Sequence, residues 1–122
     1  MKKIKMTGEL IIRGQFCSLL NKYINEEDET TKKLSEILGL KEQNFWIDYM
    51  DDEEIQIHVR EANISLIETI SDYENWLKDL TDDIKYVFKV KVTKISLQIK
   101  KFVVEDNDST FEQKTSISLE VA

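Results

Sequence analysis

The chain contains no proline, only three glycines, one cysteine and one histidine. Average usage would supply about six prolines in this length, so the turns fall to Asn, Asp, Ser and charged residues. With Cys17 alone there is no intrachain disulfide and no cysteine-based metal cluster. No apolar run approaches the roughly 18 residues of a membrane span. The N-terminal MKKIKMTGELIIRG is basic but has no small-residue cleavage site, and Gly8, Glu9 and Arg13 interrupt it. The expectation is a cytoplasmic protein without membrane association. Glycine-rich phosphate loops, a Walker motif and a GxSxG elbow are also missing.

What remains is 122 residues, 41% hydrophobic and 34% charged, long enough for one real core and too short for two. A single domain spanning 1–122 is expected. The net charge is −7, which disfavours nonspecific attraction to DNA or anionic membranes for the molecule as a whole. The distribution is two-signed. Residues 26–83 carry 18 acids against five bases, whereas residues 84–104 carry six lysines and no acid.

Ile4, Met6, Gly8, Leu10 and Ile12 share one parity and predict a strand. Beyond Gly14, Phe16, Leu19, Leu20, Tyr23 and Ile24 fall on one helical stripe with Cys17 beside it, a position that suits a small buried hydrophobe. Asn25 to Glu29 reads as an exposed loop. Thr30 or Thr31 then caps a short helix carrying Leu34, Ile37 and Leu38, stopped by Gly39 in a C-cap position. Phe45, Ile47 and Tyr49 alternate with Trp46, Asp48 and Met50; after Asp51 to Glu54, Ile55, Ile57 and Val59 alternate with Gln56, His58 and Arg60, which reads as a hairpin. Ser65 and Glu68 form a capping box for a helix along Leu66, Ile70, Tyr73, Leu77, Leu80 and Ile84, with Thr81, Asp82 and Asp83 as its end. From Ile84 to Val104 strand alternation changes parity near Thr93–Lys94, predicting one bent strand or two joined tightly. Glu105 to Thr110 is a turn, and Phe111 to Val121 a final strand.

The order β-α(α)-β-β-α-β plus an extra C-terminal β-hairpin predicts an α+β, ferredoxin-like (split β-α-β) antiparallel sheet with helices on one face.

Chemistry is sparse. His58 lies on the polar side of its strand, and catalysis there needs a partner from elsewhere in the fold. Asp48, Asp51, Asp52, Glu53 and Glu54 lack the alternation and central glycine of a calcium loop. No metal site, no cofactor and no enzymatic activity are expected. The function expected is binding to a protein partner, in the manner of a small acidic phage or mobile-element inhibitor, anti-CRISPR-like or DNA-mimic-like. It would engage a nucleic-acid-handling protein through Glu26, Glu27, Asp28, Glu29, Asp51, Asp52, Glu53 and Glu54. The alternative is a nucleic-acid-binding module using an open sheet face with Lys3, Lys5, Trp46, His58, Arg60, Lys85, Lys89 and Lys91. Arg13 and Met50 belong to that same face on this reading. A homodimer through Trp46 and Met50 is a further use of the face, and a small enzyme built on His58 is the third, weaker reading.

Overall fold

A computed structural model describes residues 2–63, 70–106, 109–113 and 117–121, with side chains at 5–60 and 71–101. The expected capping box at Ser65 and Glu68 lies outside the described residues. The chain runs β1 (Lys2–Gln15), α1 (Cys17–Asn25), α2 (Glu27–Leu38), a 3-10 turn (Glu42–Asn44), β2 (Phe45–Met50) and β3 (Glu54–Asn63). It continues with α3 (Ile70–Phe88), β4 (Lys91–Asp106), β5 (Ser109–Gln113) and β6 (Ile117–Val121). The fold is α+β. Its sheet is antiparallel throughout, in the order β2-β3-β1-β4-β5, with β6 also on β4. β5 covers the second half of β4 and β6 the first, so the two lie end to end along that strand. The anticipated C-terminal hairpin is thus β4 folded back on a segmented edge strand. Among the described residues no helix is long and apolar enough to cross a membrane.

Alternation decides which face meets the helices. Met6, Leu10 and Ile12 of β1, Ile55, Ile57 and Val59 of β3, and Ile95, Leu97 and Ile99 of β4 are buried on one side. Against them pack Leu19 of α1, Leu34 and Leu38 of α2, and Leu77, Leu80 and Ile84 of α3 in one cluster. Each such side chain taken from water contributes about 1.5–3 kcal/mol. All three helices therefore lie on one face, and the other side of the sheet carries half-buried and exposed residues.

Several expectations are corrected. Residues Ile84 to Phe88 continue α3 rather than opening a strand. Leu77, Leu80, Ile84 and Phe88 keep helical spacing on the core, and the Thr81 hydroxyl donates back to the Leu77 carbonyl at 2.8 Å, so Thr81–Asp83 does not stop the helix. The run Asn25 to Glu29 is also no loop, because α2 starts at Glu27 and puts Glu27, Asp28 and Glu29 in its first turn. There the three carboxylates face the positive end of the helix dipole. Thr30 is inside that helix, buried, its hydroxyl donating to the Glu26 carbonyl at 2.9 Å. Cys17 is exposed as the first residue of α1, and Ile24, at the end of the expected stripe, is 68% exposed. Gly39 does end α2 in the left-handed region, at φ 69°.

Where β4 crosses β1, register slips twice. Arg13 pairs with Lys94 but Gly14 with Val92, which leaves Thr93 as the extra residue near the expected parity change. Gly8 pairs with Ile99 but Thr7 with Lys101, which leaves Lys100 as the second. On the other side of Thr7, β3 also carries an extra residue, since Gly8 pairs with Val59 and Met6 with Ala62.

Candidate functional site

The face away from the helices is assembled by register. Trp46 of β2 lies opposite His58 of β3, His58 opposite Glu9 of β1, and Glu9 opposite Gln98 of β4. Four strands thus align four polar or aromatic side chains in one row. Asp48 shares the parity of Trp46 and is itself the extra residue of a bulge, because Ile47 pairs with Ile57 but Tyr49 with Gln56.

The row is knit together. The Trp46 and His58 rings stack with centroids 4.2 Å apart and planes 23° from parallel. Trp46 Nε1–H donates to Asp48 Oδ1 at 2.6 Å. His58 Nδ1 and Glu9 Oε2 share a hydrogen bond at 3.2 Å, with the His58 side chain 19% exposed and that of Glu9 12%. Glu9 also meets the Asp48 carboxyl. Burial first, and the Asp48 carboxyl next, raise the Glu9 pKa above its ordinary value, while His58 pulls the other way. One donor atom from each of Glu9, Asp48 and His58 lies within 4.8 Å of the others.

Around this centre the described side chains are mostly cationic. Lys5 shares the parity of Glu9, Arg60 follows Val59 outward, Lys94 pairs with Arg13, and Lys101 pairs with Thr7. Exposed Lys100 adds another cation at the second β4 bulge. Among the described side chains the carboxylates there are Glu9, Asp48 and Glu54, the last accepting from Arg13 Nε at 3.2 Å; register also brings Glu105, Glu112 and Glu120 to positions of this face, opposite Lys3, Val103 and Ser96. Tyr49 is exposed further along β2 and donates its hydroxyl to Asp51 at 2.5 Å.

The expected basic face is thus only partly assembled. Lys5, Trp46, His58 and Arg60 are on it, and Lys91 joins at its end, opposite Gln15. The Lys3 backbone lies in β1, and its side chain falls outside the described ones. Lys85 instead sits on α3, and Lys89 occupies the turn after it at φ 54°. Met50 turns to the core because the bulge shifts it opposite buried Ile55, and Tyr49 takes the open face in its place.

The acidic residues fall in two places. Asp51 Oδ1 accepts the backbone N–H groups of Glu53 and Glu54 at 2.8 and 2.6 Å, shaping the hairpin tip. The Asp52 and Glu53 carbonyls accept from Phe16 and Gly14, which pins the tip to the start of α1. Glu26 to Glu29 begin at the other end of α1, about 13 Å along the helix. Glu27 accepts from the Tyr23 hydroxyl at 3.4 Å and Glu29 pairs with Lys33 at 3.7 Å.

Comparison with protein-family models, curated proteins and solved structures finds no match. The geometry alone bears on the chemistry. Sequence reasoning missed Glu9 as the partner of His58; its only signal was a lone acid at a polar position of an otherwise basic strand. The assembled group offers an imidazole, two carboxylates and a stacked indole, equipment for a cation, a proton or a flat aromatic ligand.

Proposed function

We propose that the protein binds single-stranded nucleic acid across its open sheet face, without catalysis and in the cytoplasm. The observation that carries this reading is the stacked Trp46–His58 pair, with exposed Tyr49 further along β2 on the same face, where among the described side chains cations outnumber carboxylates in a chain of net charge −7. An aromatic platform offers about 1–3 kcal/mol per stacked base whatever its sequence, and the flanking lysines and arginines meet phosphates. The antiparallel order β2-β3-β1-β4, with helical crossovers before β2 and before β4, supports a ferredoxin-like (split β-α-β) reading of the fold, an architecture that presents such platforms. Use of the same face by a second copy of the chain is the competing occupancy.

Fluorescence anisotropy with a labelled single-stranded oligonucleotide tests it. Affinity should fall steeply with salt and fall about tenfold or more in Trp46→Ala. Lys94→Glu with Lys100→Glu should weaken binding, whereas Lys85→Glu with Lys89→Glu should do so far less. Absence of binding at about 50 mM salt removes the reading.

A second reading is a phage- or mobile-element-type inhibitor, engaging a nucleic-acid-handling protein through acidic residues. It is favoured by the exposure of Glu26, Glu27, Asp28 and Glu29 at the α1–α2 junction and of Asp52 and Glu53 at the hairpin tip. The same titration separates the two, because this reading expects no oligonucleotide binding.

A further inference from the structure

We infer that Glu9, Asp48 and His58 form a binding site for a first-row divalent cation of the zinc class. The three donors come from three strands, and backbone pairing positions two of them. Glu9 and His58 are register partners in β1 and β3, while Asp48 is held by the Trp46 indole N–H. Their donor atoms lie within 4.8 Å of one another. Bonds of about 2.0–2.1 Å around a tetrahedral ion place ligand atoms roughly 3.3 Å apart. The donors therefore need to draw in by about 1.5 Å at most, a distance on the scale of side-chain rotation.

The donor set selects the ion. One imidazole nitrogen with two carboxylates suits zinc, cobalt, nickel or manganese. Calcium takes six to eight oxygens, and magnesium keeps most of its waters. No thiolate is on offer, because Cys17 belongs to α1 in the opposite layer. The surroundings match what ligands of such ions receive from their neighbours. The Trp46 indole donates to Asp48 and its ring stacks on His58, so one residue orients two ligands. Two carboxylates whose oxygens lie within 4.8 Å, with Glu9 largely withdrawn from solvent, make a place where a dication relieves like-charge repulsion. Three protein ligands leave at least one position open toward solvent, available to water or to a phosphate oxygen. The inference goes beyond the nucleic-acid reading and does not rest on it, although a bound dication would cancel the carboxylate charge at the centre of that face.

Titration of the tag-free full chain, freed of metal by a chelator, with Zn²⁺ and then Co²⁺ in a non-coordinating buffer tests the site without nucleic acid. The expected result is one ion per chain, with Mn²⁺ weaker than Co²⁺ and Mg²⁺ unable to compete. Glu9→Gln, Asp48→Asn and His58→Gln should each weaken Zn²⁺ at least about tenfold, and Glu53→Gln should not. Glu9→Gln and Asp48→Asn each remove one of two adjoining like charges, so both stay folded, as circular dichroism will check. Absence of one-to-one binding up to about 1 mM Zn²⁺, or binding that survives both Glu9→Gln and Asp48→Asn, overturns the inference. Failure here leaves the oligonucleotide titration unaffected, and the converse also holds.

Discussion

Gly14→Ala tests how tightly β4 is seated on β1. A Cβ at this position would lie 1.9 Å from the Lys91 carbonyl oxygen and 2.9 Å from both the Lys91 carbonyl carbon and Val92 Cα. All three are backbone atoms, so no rotamer change relieves the clash and the strands must part by about 1 Å or more. That displacement pulls on the Gly14↔Val92 and Gln15↔Lys91 pairs, and on the hydrogen bond from the Thr93 hydroxyl to the Arg13 carbonyl at 3.2 Å. Overpacking of this kind costs about 1–3 kcal/mol, and each hydrogen bond lost adds roughly 0.5–1.5 kcal/mol. A total near 3 kcal/mol is a large share of the roughly 5–15 kcal/mol that holds a small domain together. At Gly8 the nearest approach is 2.6 Å, to the Gln98 carbonyl oxygen, so Gly8→Ala should cost about 1–2 kcal/mol. Gly39 has open space around it but sits at φ 69°; an alanine there pays about 1 kcal/mol for the left-handed conformation, partly offset by a stiffer unfolded chain. Urea denaturation at constant m-value measures all three. The expected order of loss is Gly14, then Gly8, then Gly39. A Gly14→Ala protein as stable as the wild type, or less affected than Gly39→Ala, would refute the argument.

Two further substitutions probe local strain and charge. Lys89 holds φ 54° in the turn between α3 and β4, so Lys89→Gly should be neutral or stabilising by up to about 1 kcal/mol in thermal melts, while Lys89→Val should destabilise. The Tyr49 hydroxyl, then the Glu53 and Glu54 backbone N–H groups, hold Asp51 below the ordinary carboxyl value of 3.8. A lowered pKa means a contribution present above 3.8 and lost as pH falls through the lower folded value. The stability gap between wild type and Asp51→Asn should therefore be seen at neutral pH and close only in stronger acid.

Much of the layer structure was legible because two periodicities were clean. The even positions of β1 and the odd positions of β3 are the buried ones, as their alternation predicts, and Gly39 stops α2 where a C-cap glycine should. Failures came where one stretch satisfies two periods. Ile84 and Phe88 fit the α3 stripe, yet Tyr86, Phe88, Val90 and Val92 also alternate; length of helix and burial of Phe88 decide for the helix, leaving Tyr86 85% exposed. Acids misled for another reason. Glu27, Asp28 and Glu29 look like a solvated loop, but negative charge is also what the first turn of a helix favours. The candidate site needed a quantity that composition does not hold. That Trp46, Asp48 and His58 point to one side follows from parity, but their meeting with Glu9 depends on strand register, which is set 49 residues apart along the chain.

The charge of the open face has the same origin. A strictly alternating β4 would send Lys100 and Lys101 to opposite sides of the sheet. The bulge opposite Thr7 instead places two residues of β4 against one of β1, while β3 does the same from the other side with Arg60 and Glu61. Two consecutive side chains of a bulge can share a face, so Lys100 and Lys101 of β4 gather beside the Glu9 row where a regular ladder would have divided them. Gly8 lies next to Thr7 and lets the β4 backbone come close enough for this to happen, with the Gln98 carbonyl where a Cβ would be. The bulges therefore do more than bend a long strand. They bring Lys100 and Lys101 together opposite Thr7, close to the carboxylate–imidazole centre.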